Sequence, residues 1–148
     1  NIGLQLELLR SMGFQNLLGI ELNLYAVERA KVIHPYVDIL RGNAFDLPFR
    51  DNYFDFVFTS GVLIHIDPND VSEVMKEIFR VSKCYIWGYE YYAPMLTEVN
   101  YRGKEGLLWK TDFARMYKEL FPQLQIIKEK KYPMTDNKNI SQSFLLKK

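Results

Sequence analysis

Residues 42–66 constrain the fold more than any other stretch of the chain. They read Gly42-Asn43-Ala44-Phe45-Asp46-Leu47-Pro48-Phe49, a polar Arg50-Asp51-Asn52 cluster, then Tyr53 to Phe58, Thr59-Ser60-Gly61 and Val62-Leu63-Ile64-His65-Ile66. Pro48 and the Arg50-Asp51-Asn52 cluster are turn chemistry. Phe54 to Phe58 is a short aromatic and aliphatic run, suited to a strand buried on both faces. The polar Thr59-Ser60-Gly61 then opens the strand's carboxyl end, where open α/β sheets place their ligands. The segment is thus a loop, a turn, a strand and a second loop.

The rest of the chain alternates around that strand. Leu4, Leu8, Leu9 and Met12 recur on one helical face after Asn1-Ile2-Gly3, and Gly13 ends the run. Leu17-Leu18-Gly19-Ile20 reads as a buried strand with Glu21 at its carboxyl end. Asn23 is a helix cap, with Leu22, Ala26, Ala30 and Ile33 at helical spacing and Pro35 just beyond; His34 closes that helix. Val37 to Leu40 is the next strand. Asp67-Pro68 starts a helix whose buried face is Val71, Val74, Met75 and Ile78. Cys84 to Tyr91 is an aromatic strand interrupted by Gly88, and Glu90 to Gly106 is a long irregular loop, a type of segment that tends to carry function. Thr111 caps a helix with Phe113, Met116, Tyr117 and Leu120 inward, stopped by Pro122. Leu124 to Tyr132 and Ile140 to Leu146 close the chain as an antiparallel hairpin, with Lys128 to Lys131 on a solvated edge. Strand–helix alternation up to residue 91 predicts an α/β fold with a mostly parallel, doubly wound sheet.

Composition narrows the function classes. A chain of 148 residues is long enough for a single domain with its own core. The net charge of +1 gives no argument for nucleic acid or an acidic membrane. Cys84 has no internal partner for a disulfide, which fits a reducing cytoplasm. No apolar run approaches the roughly 18 residues of a membrane span, and His34 and His65 do not have metal-ligand spacing.

The pattern G-N-A-x-x-L-P-F-x-D-x-x-F-D-x-V followed by S-G-V-L-x-H-I resembles the post-adenine loop and fourth strand of class I S-adenosylmethionine-dependent methyltransferases. A glycine turn, a helix and an acidic residue 18 positions on, from Gly3 to Glu21, is also a nucleoside-binding arrangement. Alone, Gly3 is a plain turn residue and Glu21 a solvated strand-end acid; beside residues 42–66 they take the functional reading. The resemblance implies a Rossmann-like sheet with an antiparallel C-terminal hairpin. It implies S-adenosylmethionine as cofactor and a chain that begins inside its own glycine-rich loop, without the first strand. It further implies that Asn1, Gly3, Ser60, Gly61 and Val62 hold the methionine end of the donor. Glu21 would take the ribose hydroxyls, Leu22 would lie against the adenine, and Asn43, Ala44 and Phe45 would meet its edge. Many relatives carry Asp at position 43; Asn offers both a donor and an acceptor.

Gly61 to Ile66, Glu90-Tyr91-Tyr92-Ala93-Pro94, Tyr101-Arg102-Gly103 and Thr111-Asp112-Phe113-Ala114 together resemble bacterial methylases associated with pseudaminic acid biosynthesis. This implies a small-molecule acceptor, an acidic nonulosonic sugar or its precursor. An acceptor hydroxyl or amine must lose a proton, and a histidine is the usual base; His65 follows the fourth strand and is the candidate, with a hydrogen-bonded scaffold role as its alternative. Tyr91, Tyr92 and Tyr101 are candidate pocket walls or amphipathic packing residues. Arg102 is a candidate anchor for the sugar carboxylate, or an exposed loop arginine. Two rival classes share the pattern: a non-catalytic nucleoside- or partner-binding module, and a nicotinamide oxidoreductase. The L-P-F and G-V-L-x-H-I segments argue against the second.

Overall fold

The computed structural model describes residues 1–135 and 139–148. Two compact units divide the chain, Asn1–Pro48 and Phe49–Lys148. The first holds helix α1 (Leu4–Ser11), strand β1 (Leu18–Glu21), helix α2 (Leu24–Ile33) and strand β2 (Asp38–Arg41). β1 and β2 pair in parallel, Leu18 opposite Asp38 through Glu21 opposite Arg41, with α2 as the crossover. Asn23 caps α2 as its sequence position requires, its side-chain oxygen accepting from the Tyr25 and Ala26 amides. His34 closes the helix by donating its amide to Ala30.

The inward faces of both helices differ from those the hydrophobic spacing predicts. In α1 the buried residue is Leu6, while Leu4, Leu8 and Met12 are exposed. The cause is Gly19 on β1: a Cβ there would sit 2.8 Å from Leu6 Cδ1, so this glycine is the seat for the Leu6 side chain. In α2 the buried pair is Val27 and Ala30, leaving Leu22 and Ile33 exposed.

The second unit holds β3 (Phe54–Ser60), a 3-10 turn (Leu63–His65), α3 (Val71–Val81), β4 (Ser82–Tyr92), β5 (Thr97–Glu98), β6 (Trp109–Lys110), α4 (Phe113–Leu120), β7 (Gln125–Pro133) and β8 (Ile140–Lys147). Its four-stranded sheet has the order β3-β4-β8-β7. β3 and β4 are parallel across α3, and β7 and β8 form the expected antiparallel hairpin, with β8 also antiparallel to β4. The turn before β3 is held by Arg80 of α3, whose guanidinium donates to the Phe49 carbonyl and pairs with Asp51. Asn52 in that turn takes the left-handed conformation that asparagine tolerates.

β3 is not buried on both faces: Asp55 and Phe56 are exposed. Within its unit it is an edge strand, paired on one side only with β4. α3 begins at Val71, because Asp67 instead closes a turn, accepting from the Asn69 amide and receiving the Asp70 amide at its carbonyl. The face Val71, Val74, Met75 and Ile78 is buried as expected, extended by Val81. α4 is capped by Asp112 rather than Thr111, the Asp112 carboxylate accepting from the Arg115 amide. The segment expected to be a long loop is organised: Glu90 to Tyr92 belong to β4, and Thr97 to Lys110 is a hairpin in which β5 and β6 pair.

Candidate functional site

Candidate residues gather at the carboxyl ends of strands in each unit. In the first unit, Gly3 precedes α1 with φ +83°, and a Cβ there would lie 2.6 Å from Ile39 Cδ1. Only glycine lets this backbone come so close to β2. Glu21 ends β1 half-buried, its carbonyl accepting from the Gly42 amide at 3.1 Å. That bond joins the end of β1 to the loop after β2. One Glu21 carboxylate oxygen accepts from the Asn23 amide at 2.8 Å, and the other pairs with the Asn1 amine. Asn43 folds its loop with its own side chain, accepting from the Phe45 amide at 3.1 Å, while the Asp46 amide donates to its carbonyl. Beside this polar rim Leu22 and Phe45 are exposed, and Ala44 is half-buried. A carboxylate at a strand end beside exposed apolar residues is chemistry that suits a nucleoside.

In the second unit, β3 ends at Ser60, and Gly61 turns the chain with φ +63° and open space where a side chain would stand. The Gly61 amide donates to the Tyr89 carbonyl at 2.9 Å, carrying the β3–β4 ladder one step into the loop. Val62 follows, then the 3-10 turn with His65. The His65 ring is exposed, and its Nδ1 lies 2.8 Å from the Leu107 carbonyl. A carbonyl only accepts, so Nδ1 carries the hydrogen and the neutral ring keeps its lone pair on Nε2. Tyr101 meets the same ring edge-on, centroids 5.3 Å apart.

Tyr91 and Tyr92 stand on β4 rather than in a loop, and successive residues of a strand face opposite sides. They therefore do not wall one pocket together. Tyr92 lies under Lys131, whose ammonium is 3.9 Å from its ring centroid. Arg102 occupies the tip of the 101–104 turn, where the Tyr101 and Lys104 backbones exchange two hydrogen bonds. Arg102 and Gly103 both have positive φ, +54° and +78°, the signature of a two-residue hairpin turn. The Arg102 guanidinium lies over the Tyr101 ring at 5.2 Å. Tyr101, Arg102 and His65 are thus brought together. A separate apolar cleft of about 90 Å³ is lined by Leu63, Ile66, Val71, Trp109, Phe113 and Met116 among others.

One residue of this site escapes the sequence reading. Glu90 is 1% exposed, and its carboxylate accepts from the Val62 amide at 3.0 and 3.2 Å and from the Ile64 amide at 3.5 Å. Burial raises its carboxyl to about 7, against the opposing pull of these bonds and of the Thr59 hydroxyl. The signal was its parity: Ile86, Gly88 and Glu90 share the buried face of β4, an unusual place for a carboxylate.

The family model described as "Methyltransferase domain" matches residues 1–86. An uncharacterized methyltransferase of Synechocystis sp. is 33% identical over 66 residues, covering 45% of this chain and 31% of that protein. The chain thus spans about a third of the length of the curated relative it matches. Among solved structures, an S-adenosylmethionine-dependent methyltransferase from Methanosarcina mazei shares the fold with a TM-score of 0.77 at 18% identity, covering 97% of this chain and 86% of that one. The Burkholderia thailandensis 1,6-didemethyltoxoflavin-N1-methyltransferase, solved with bound 1,6-didemethyltoxoflavin and S-adenosylhomocysteine, gives a TM-score of 0.78 at 12% identity, over 100% of this chain and 67% of that one. The fold is accordingly the Rossmann-like α/β fold of these enzymes. Among the described residues no group of His, Cys, Asp or Glu is placed to hold a metal, and no helix is long and apolar enough to cross a membrane.

Proposed function

Because the chain belongs to the methyltransferase domain family, we propose that it transfers a methyl group from S-adenosylmethionine to a small-molecule acceptor. The observation that carries this reading is the family match over residues 1–86, which contains every candidate donor-binding residue. The residues present fit the donor: Glu21 sits at a strand end followed by exposed Leu22, Phe45 is exposed in the loop after β2, and Gly61 opens a side-chain-free turn. When bound, the donor supplies an electrophilic methyl on a sulfonium, so no metal or covalent enzyme intermediate is required.

In this reading Glu21 accepts from the ribose hydroxyls, and Leu22 packs on the adenine. Ala44 and Phe45 flank its edge. The Asn43 oxygen accepts from Phe45, and the Asn43 amide NH₂ offers a donor to the base. The sequence resemblance assigns the methionine end to Asn1, Gly3, Ser60, Gly61 and Val62. His65 acts as general base through Nε2, with its tautomer set by Leu107. The acceptor is an acidic sugar of the nonulosonic type. The sequence resemblance supports this, as does a guanidinium at position 102 suited to gripping a carboxylate with two parallel hydrogen bonds. Tyr101, in contact with both His65 and Arg102, flanks the acceptor; Tyr91 and Tyr92, on opposite faces of β4, do not flank it together. The setting is the bacterial cytoplasm.

Transfer of labelled methyl groups from S-adenosylmethionine to candidate sugars tests the reading. An acidic nonulosonic sugar should be methylated, and its carboxyl-reduced counterpart should not. Arg102→Lys keeps the charge but loses the planar fork; it should raise KM for the acceptor and leave donor binding intact. Equal use of both sugars, or unchanged acceptor kinetics in the Lys and Ala variants, would remove the acidic sugar and its anchor.

A further inference from the structure

Glu90 is the one charged residue that is buried among the described residues. It stands on β4 opposite Gln142 of β8, beneath the loop that follows β3. An apolar side chain would fill this volume without the cost of burying a carboxylate. What Glu90 does there is specific: its two oxygens gather the amides of Val62 and Ile64, 28 and 26 residues away in the chain, together with Leu63 and the Thr59 hydroxyl. These donors line one continuous turn, residues 59–64.

We propose that Glu90 is a positioning residue for the methyl donor, its carboxylate holding the backbone of residues 61–64 in a preformed shape that protonation of Glu90 loosens. The inference rests on the reading of Ser60, Gly61 and Val62 as a donor-binding loop. An ionised carboxylate accepts at both oxygens. Once protonated, one oxygen carries a hydrogen and competes with the amide hydrogens it formerly received.

The surroundings leave Glu90 as the group that changes charge in this cluster near neutrality. Tyr117 on α4 faces it, and burial together with the Glu90 charge pushes the Tyr117 hydroxyl far above its ordinary range. Gln142 on β8 is neutral and donates to the Asp112 and Glu129 carboxylates. Thr59 on β3 is neutral. His65, on the 3-10 turn, directs Nδ1 to Leu107. Its substitution is the control.

The test needs no acceptor. In the ligand-free protein, the Val62 and Ile64 amide resonances are followed from about pH 5.5 to about pH 8.5. They should shift together with a midpoint near 7 and stop doing so in Glu90→Gln. In parallel, calorimetry measures S-adenosylhomocysteine binding. Wild-type affinity should fall about tenfold as pH drops through that range, and Glu90→Gln should bind about tenfold more weakly at the alkaline end, independently of pH. A His65→Gln background should keep the wild-type pH dependence of affinity. Amides indifferent to pH in the unmodified protein would overturn the proposal without any variant. So would a folded Glu90→Gln protein with wild-type affinity and pH profile. A wild-type protein that binds no S-adenosylhomocysteine at any pH overturns the methyltransferase reading instead, and the amide titration then still decides the clamp.

Discussion

His65 shows how much one hydrogen bond fixes. With Nδ1 committed to the Leu107 carbonyl, Nε2 is the only ring nitrogen able to take a proton. His65→Ala should therefore lower the methyl-transfer rate by roughly 10²–10⁴-fold while changing donor affinity little. Single-turnover kinetics beside a binding titration would check this, and a rate within a few-fold of wild type would leave His65 as scaffold. Gly61 is the second residue with a definite expectation. Its backbone is left-handed but its surroundings are open, so Gly61→Ala meets no clash and should cost only about 1 kcal/mol of stability, read by denaturant unfolding. Much at this scale is legible in sequence: the Asn23 cap, the glycine turn at Gly3 and the strand-end position of Glu21 follow from residue type and spacing. Glu90 does not, because a glutamate among tyrosines looks the same whether its side chain meets solvent or a set of buried amides. Nor does the Leu107 contact, which joins residues 42 apart.

Elements follow the hydrophobic pattern where the pattern is dense. Helix α3 buries the face its spacing predicts, and the β7–β8 hairpin forms where two consecutive strands are expected. The pattern fails in α1, where a glycine on the neighbouring strand rather than leucine spacing selects Leu6. It fails again in the 97–110 hairpin, because strands of two residues leave no periodic trace. Gly88 looks like an interruption of β4, yet a Cβ there would fall inside the Phe144 ring, which is itself buried. Gly88→Ala should therefore cost about 1–3 kcal/mol by overpacking, measured as a lower denaturation midpoint. An unchanged midpoint would mean that the Phe144 ring moves freely. The 101–104 turn carries the opposite expectation. Arg102 occupies a left-handed position that glycine takes without strain, so Arg102→Gly should stabilise the fold by up to about 1 kcal/mol. If the guanidinium anchors the acceptor, the same variant should lose acceptor affinity, and the two readouts separate local strain from function.

On the scale of the whole molecule, the buried carboxylate sets a pH dependence of stability. The folded-state pKa of Glu90 is raised from 4.5 to about 7. Between those values the folded state holds a proton that the unfolded chain has released, so stability falls as pH rises through that window and levels off above it. The contribution is on the order of 3 kcal/mol; Glu90→Gln should lack it, so the stability difference between wild type and the variant should change by about that amount between the two ends of the window in thermal melts. The class of fold is legible from strand–helix alternation alone, and the family from residues 42–66; the acceptor is not, because in the proposed reading it would be recognised by a few side chains on a hairpin tip. The central claim concerns the donor, and calorimetry with S-adenosylmethionine on wild-type protein and Glu21→Ala, with a nicotinamide dinucleotide as comparator, tests it most directly. Wild type should bind one S-adenosylmethionine per chain and ignore the dinucleotide. Glu21→Ala should bind roughly ten- to a hundredfold more weakly through loss of charge-assisted ribose hydrogen bonds. Unchanged affinity in a folded Glu21→Ala protein, or a preference for the dinucleotide, would contradict the account.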